Sequence, residues 1–188
     1  DACFVTFSTR EGLPASGIRA ILQDRRGDLW FAGGARRSGG LSRYDGRTLT
    51  TMTAADGLVD DEVWSLALDR HGTLWGGTMR GVSRHRDGVL STFAMDPGLL
   101  QHPVSFLVEG AEGAMWLGTW GGGLSRWDGQ SFLTYTSEDG LGHDRLSSGV
   151  VDSLGHMWLC TWGGGVTRFD GETFRTYTTA DGLASDSV

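Results

Sequence analysis

The chain has 188 residues, and three counts stand out: 31 glycines, 8 tryptophans, and 16 basic residues that are all arginine. An apolar content of 39% with 21% charged residues is that of a folded domain and excludes disorder, and glycine without a Gly-X-Y period excludes collagen. The formal net charge of −7 argues against a nucleic-acid or anionic-membrane surface, and no apolar run approaches the roughly 18 residues of a membrane helix.

In chain order, the first segment is Phe4-Val5-Thr6-Phe7, which reads as an outer strand that aligns with Phe132 and Phe174 further on. A Gly-Leu pair then recurs, with leucines at 13, 58, 99, 141 and 183, spaced 45, 41, 42 and 42 residues apart. Tryptophans at 30, 75, 116 and 158 and Asp-Gly pairs at 45, 87, 128 and 170 keep the same period near 42. A fixed period of this size is the signature of a repeat architecture.

Each unit reads as four short strands. The first is a nearly continuous apolar run, as in Ile18 to Leu22, Val63 to Leu68 and Val104 to Val108, which suits a strand buried on both faces. A turn such as Asp24-Arg25-Arg26-Gly27 or Asp69-Arg70-His71-Gly72 follows. The second strand carries the tryptophan and runs into a glycine-rich loop. The third, such as Leu124-Ser125-Arg126-Trp127, precedes the Asp-Gly hairpin signal, and the fourth closes the unit as in Phe132 to Thr136.

Four antiparallel strands per repeat predict an all-β fold, a β-propeller of four complete four-stranded blades with flanking partial blades. The blades are expected over about 13–53, 58–94, 99–136 and 141–178 of one propeller segment spanning 1–188. Residues 1–12 would be the trailing strand of a preceding blade, and 179–188 the start of a following one. Surplus at both ends points to part or half of a larger ring, completed by further blades of a parent protein or by a second copy forming an eight-blade homodimer.

The string Thr-Ala-Asp-Gly-Leu, then Asp-x-x-Gly-x-x-Trp, then Gly-Thr-Trp-Gly-Gly-Gly-Leu-Ser-Arg-x-Asp-Gly resembles the two-component regulator propeller repeat. The resemblance covers the whole chain and is strongest over Met115 to Thr136 and Met157 to Thr178. It implies a bacterial sensor propeller, the periplasmic or extracellular part of a hybrid histidine kinase, responding to a carbohydrate or another small ligand. No signal peptide, kinase or receiver sequence is present in the chain. Pro97 and Gly110 replace the aspartates usual at their positions, both in blade three.

Residues present in every blade are expected to support the blade. The four tryptophans read as core anchors, and the arginines at 43, 84, 126 and 168 as partners in inter-blade hydrogen bonds. The Asp-Gly pairs read as turns rather than calcium loops, since alternating oxygen ligands are missing. Function is expected on the face carrying the variable loops. The candidate ligand-binding residues on the loops between second and third strands are Arg36, Arg37, Met79, Arg80, Trp120 and Trp162. The inter-blade loops add Glu62, His102, His143 and Arg145. Tryptophans beside Gly-Gly-Gly, flanked by polar groups, suit stacking on a sugar face.

A ligand-sensing module is the leading reading; a protein-interaction scaffold and a propeller lyase acting through His102, His143 and Asp144 are the alternatives. No catalytic residue, metal site or cofactor is expected, and neither nucleic acid nor direct membrane insertion. Cys3 and Cys160 lie in different repeats, too few for a disulfide framework.

Overall fold

The computed structural model describes residues 6–35, 38–93 and 102–188. It is a succession of four antiparallel sheets, each of four strands in sequence order. The first blade is β1 (Ile18–Gln23), β2 (Leu29–Ala35), β3 (Ser38–Tyr44) and β4 (Leu49–Met52). The second is β5 (Val63–Leu68), β6 (Leu74–Thr78), β7 (Val82–Arg86) and β8 (Val89–Phe93). The third is β9 (Val104–Glu109), β10 (Met115–Thr119), β11 (Leu124–Trp127) and β12 (Phe132–Tyr135). The fourth is β13 (Leu146–Val151), β14 (Met157–Thr161), β15 (Val166–Phe169) and β16 (Phe174–Tyr177).

The recurring tryptophan faces the following blade. Trp30, 2% exposed, packs with Leu58, Val63 and Leu74 of blade two. Trp75 packs with Val104, Leu107 and Met115 of blade three, and Trp116 with Leu146, Leu159 and Phe169 of blade four. Burying on the order of 200 Å² of such a side chain at about 25 cal/mol per Å² gives about 5 kcal/mol as an upper figure. Serines stitch the inner strands together: Ser65 Oγ donates to Val104 O (2.8 Å) and Ser105 Oγ to Leu146 O (2.6 Å).

Inner strand β1 packs on β5, β5 on β9 and β9 on β13, and no comparable packing joins β13 to β1. The forward face of blade four is therefore uncovered among the described residues. Val150, which pairs with Trp158 as Leu22 pairs with Trp30, is 59% exposed. At the other end, Phe7 lies against Phe31 and Tyr44, with ring centroids 6.3 and 4.9 Å apart. This is the arrangement of Tyr135 against Phe169 (5.4 Å) between blades three and four. The four blades are consistent with part of a larger propeller.

Three local features depart from the sequence reading. A bulge interrupts the pairing of first and second strands in every blade, between Ile18 and Ala20, Val63 and Ser65, Gly118 and Thr119, and Leu146 and Ser148. It bends the strand that lines the propeller axis. The Gly-Leu landmark closes a single 3-10 turn at Ala54–Asp56, Ser137–Asp139 and Thr179–Asp181. There Asp56 accepts from Thr53 N (2.9 Å) and Leu58 is buried beneath.

The repeated arginines each have a partner within their own blade. Arg43 Nε donates to Asp28 Oδ2 (2.7 Å), Arg84 Nε to Ser91 Oγ (3.4 Å), and Arg126 pairs with Glu112 (3.3 Å). Arg168 Nη2 lies 3.0 Å from His156 Nε2. The guanidinium in blades one to three lies over that blade's tryptophan, 6.0, 5.7 and 6.0 Å from the ring centroid. Stacking over its own indole leaves it little reach toward a neighbour.

Candidate functional site

Two faces result from this topology. On the loop face, the inter-blade connection of one blade holds the glycine loop of the one before. Gly121 N and Gly123 N both donate to Asp144 O (3.1 and 3.0 Å), and Gly163 N and Gly165 N to Asp186 O (3.0 and 2.7 Å). Trp120 bridges to Arg145, and Trp162 N donates to Arg145 O (2.9 Å). This backbone lattice brings the Trp120 and Trp162 rings to 5.4 Å between centroids at 57°, with Trp162 52% exposed. His102 lies against the same glycine loop: a Cβ at Gly121 would lie 2.9 Å from His102 Nδ1, so only glycine, here at φ +128°, lets that ring approach.

The other candidates form a separate group at blades one and two. Arg80 Nε is 3.4 Å from Asp60 Oδ2, and Met79 N donates to Glu62 O (3.3 Å). Arg36 and Arg37 lie outside the described residues. His143 has a loop-forming role: its Nδ1 accepts from Arg145 N (2.9 Å), as Asp60 Oδ1 accepts from Glu62 N and Ser185 Oγ from Ser187 N. Asp144 is likewise engaged, accepting from Ser137 N (2.6 Å), as Asp61 does from Ala54 N and Asp186 from Thr179 N. No hydrogen bond joins the His143 or Asp144 side chain to His102 among the described residues.

Sequence reasoning missed Trp64 and Arg19, at the loop-face end of the inner strands. The Arg19 guanidinium lies 3.8 Å from the Trp64 ring centroid, and Trp64 Nε1 is buried without a hydrogen-bond partner. The available signal was a break in the repeat. Where blades three and four have Ser105 and Ser147, blades one and two carry a large cation and a large aromatic.

On the turn face, carboxylates serve the scaffold. Asp45 accepts from Arg47 N and Thr48 N, and Asp170 from Glu172 N and Thr173 N. Their own turn amides hold both at a pKa of about 2. Asp24, Asp69 and Asp152 accept from the indoles of Trp30, Trp75 and Trp158 (2.9, 3.0 and 2.9 Å). The Trp158 indole, opposed by burial and helped by the His156 and Leu154 amides, brings Asp152 to about 2. Between blades three and four this face opens into a cavity of about 480 Å³, against about 70 Å³ between blades one and two.

With this geometry in hand, the comparisons with known proteins are consistent with one another. The family model "Two component regulator propeller" matches residues 12–35 and 57–80. These are the Gly-Leu-to-tryptophan stretches of blades one and two. Among solved structures, the extracellular domain of a hybrid two component system of B. thetaiotaomicron superposes with a TM-score of 0.75 at 22% identity. That match covers 91% of this chain and 23% of the other. Virginiamycin B lyase from Staphylococcus aureus gives 0.67 at 14% identity, covering 85% and 55%, and a streptogramin B lyase 0.71 at 16%, covering 90% and 58%. The chain thus spans about a quarter to three fifths of the length of these structures, and the likeness shows the fold. A search of curated proteins finds no match. No helix among the described residues is long and apolar enough to cross a membrane. By fold this is a β-propeller segment, and its first two blades each carry a match to the two component regulator propeller model.

Proposed function

We propose that the chain is a ligand-binding part of an extracytoplasmic sensor propeller, and that its loop face takes an oligosaccharide on the Trp120–Trp162 pair. The carrying observation is that pair: two indoles 5.4 Å apart, one of them 52% exposed, held by backbone bonds to the next blade's loop. Such ordered aromatic surface beside Arg145 and His102 suits the apolar face of a sugar ring with hydrogen bonds to its hydroxyls. The regulator repeats and the likeness to a two component extracellular domain support a sensing role, with the output made by another part of the system. A lyase role has weaker support, because the His143 and Asp144 side chains are committed to their own loop.

Isothermal titration of the chain with a panel of neutral and uronic oligosaccharides tests this. At least one member should bind, and Trp120→Ala with Trp162→Ala should weaken it by roughly tenfold or more. Unchanged affinity in the double variant removes the pair from the site, and a panel without a binder overturns the carbohydrate reading.

A further inference from the structure

The turn between first and second strands obeys one rule in three blades and breaks it in the third. In blades one, two and four its leading aspartate takes three donors. One is the tryptophan indole; the others are the backbone N–H groups two and four residues on. These are Arg26 and Asp28 for Asp24 (2.8 and 3.1 Å), His71 and Thr73 for Asp69 (2.9 and 2.8 Å), and Leu154 and His156 for Asp152 (both 2.9 Å). Blade three has Gly110 at this place.

The turn itself is kept. Gly110 N donates to Ala114 O (2.8 Å) and Gly113 N to Gly110 O (3.0 Å), as Asp69 N does to Thr73 O and Gly72 N to Asp69 O (both 3.0 Å). The amides of Glu112 and Ala114 therefore keep the repeat's places, and neither they nor the indole N–H of Trp116 has a carboxylate among the described residues to receive it. Ala114 and Trp116 are each 7% exposed, and both line the cavity between blades three and four.

A second departure enlarges the space. Arg25 in blade one reaches across to Arg70 O (2.7 Å), and Arg70 in blade two reaches Glu109 Oε1 (2.6 Å) and the carbonyls of Gly110 and Ala111 (3.0 Å each). Blade three has Ala111 here, with no arm toward blade four. Missing an aspartate and an arginine, the junction holds the cavity of about 480 Å³ lined by Trp116, Arg126, Tyr135, Met157 and Phe169. In the small counterpart between blades one and two, His85 stands 5.0 Å from Trp30 at the place of Phe169, and the carboxylate of Asp24 is present to take the indole. The Arg126 guanidinium stands over Trp116, its ion-pair partner Glu112 being 83% exposed. Asp170 also lines the cavity, but its carboxylate is bound to its own turn. The Trp116 indole leans into the vacated room, so that a Cβ at Gly110 would lie 2.6 Å from Nε1.

We propose that Glu112 N, Ala114 N and Trp116 Nε1, beside Arg126, bind the carboxylate of a small ligand whose flat apolar body fills the cavity between blades three and four. The ligand's carboxylate takes the place that Asp24, Asp69 and Asp152 fill in their own blades, and the indole edge withdraws to admit it. The aromatic walls select a flat body over a bare anion. This site is on the face opposite the tryptophan pair and is independent of the sugar-binding reading.

The test is an amide and indole ¹H–¹⁵N NMR titration of the whole chain with benzoate, acetate and benzamide at constant ionic strength. Benzoate should shift the Trp116 indole and the Glu112 and Ala114 amides saturably, more tightly than acetate, with no saturable effect of benzamide. The indoles of Trp30, Trp75 and Trp158, capped by their own aspartates, should stay in place. Gly110→Asp should abolish the response by supplying the carboxylate internally, and Arg126→Gln should weaken benzoate on the order of tenfold. Non-saturating shifts, equal shifts at all four repeat indoles, or equal binding of benzamide would mean that the indole has simply taken up the empty space, and would overturn the proposal. If Gly110→Asp does not give a folded spectrum, Arg126→Gln decides, and unchanged affinity there overturns it.

Discussion

Asp69→Ala removes the acceptor for Trp75 Nε1 (3.0 Å), His71 N (2.9 Å) and Thr73 N (2.8 Å) in one step. Trp75 is 4% exposed and Thr73 3%, so two of these donors stay inside the protein, while the exposed His71 amide can turn to water. Each buried donor left without a partner costs about 1–3 kcal/mol. Allowing for partial relaxation, the expected loss is about 2–4 kcal/mol, or a fall in Tm of roughly 5–15 °C for a chain of this size. Blade three keeps the same turn with Gly110, so the variant should fold and the loss can be measured by urea unfolding followed by circular dichroism. Glu138→Ala, at an exposed position, is the control and should stay within about 0.5 kcal/mol. A loss below about 0.5 kcal/mol for Asp69→Ala would refute the reasoning, showing that the indole and amides find other acceptors without cost.

Asp152 gives the pH counterpart. The Trp158 indole holds its folded-state pKa at about 2, below the ordinary 3.8, so its stabilisation is fully present above 3.8 and is lost as pH falls toward 2. Urea unfolding between pH 5 and 2 should show the stability gap between the wild-type chain and Asp152→Asn closing over that range; a pH-independent gap would contradict the assignment. Gly118→Ala should destabilise by about 1–3 kcal/mol or more through overpacking, because its Cβ would lie 1.9 Å from Phe106 Cε1. Adding Phe106→Leu should recover part of that loss in a double-mutant cycle, and strictly additive effects would argue against this contact.

Much of the fold was legible because each blade writes the same instructions. The Asp-x-x-Gly turn, the tryptophan and the Asp-Gly hairpin recur at fixed offsets, and each acts locally or on the adjacent blade. Trp30 and Trp75 pack forward as repeat anchors should. The arginines' partners within the blade were missed because sequence gives their spacing, not their direction. The strand bulges were invisible for a related reason: an extra residue in one strand is defined only against its partner. Compensation across strands was hidden too. Blade one pairs Ala20 with Ala32 where blade three pairs Phe106 with Gly118, and only the register shows that a large residue is matched to none.

The candidate site divides the same way. Trp120 and Trp162 stood out as extra tryptophans next to glycine runs, and the structure brings them together; His143 and Asp144 stood out equally and prove to be engaged in loop turns. The sequence by itself determined the period, the four-strand unit and which positions are scaffold, because hydrogen-bonded turns and short apolar strands are local properties. It also marked Gly110 as an exception. Only the tertiary structure decided what that exception means, since the donors it frees and the arm missing at Ala111 become a cavity only when the walls of blade four close the other side.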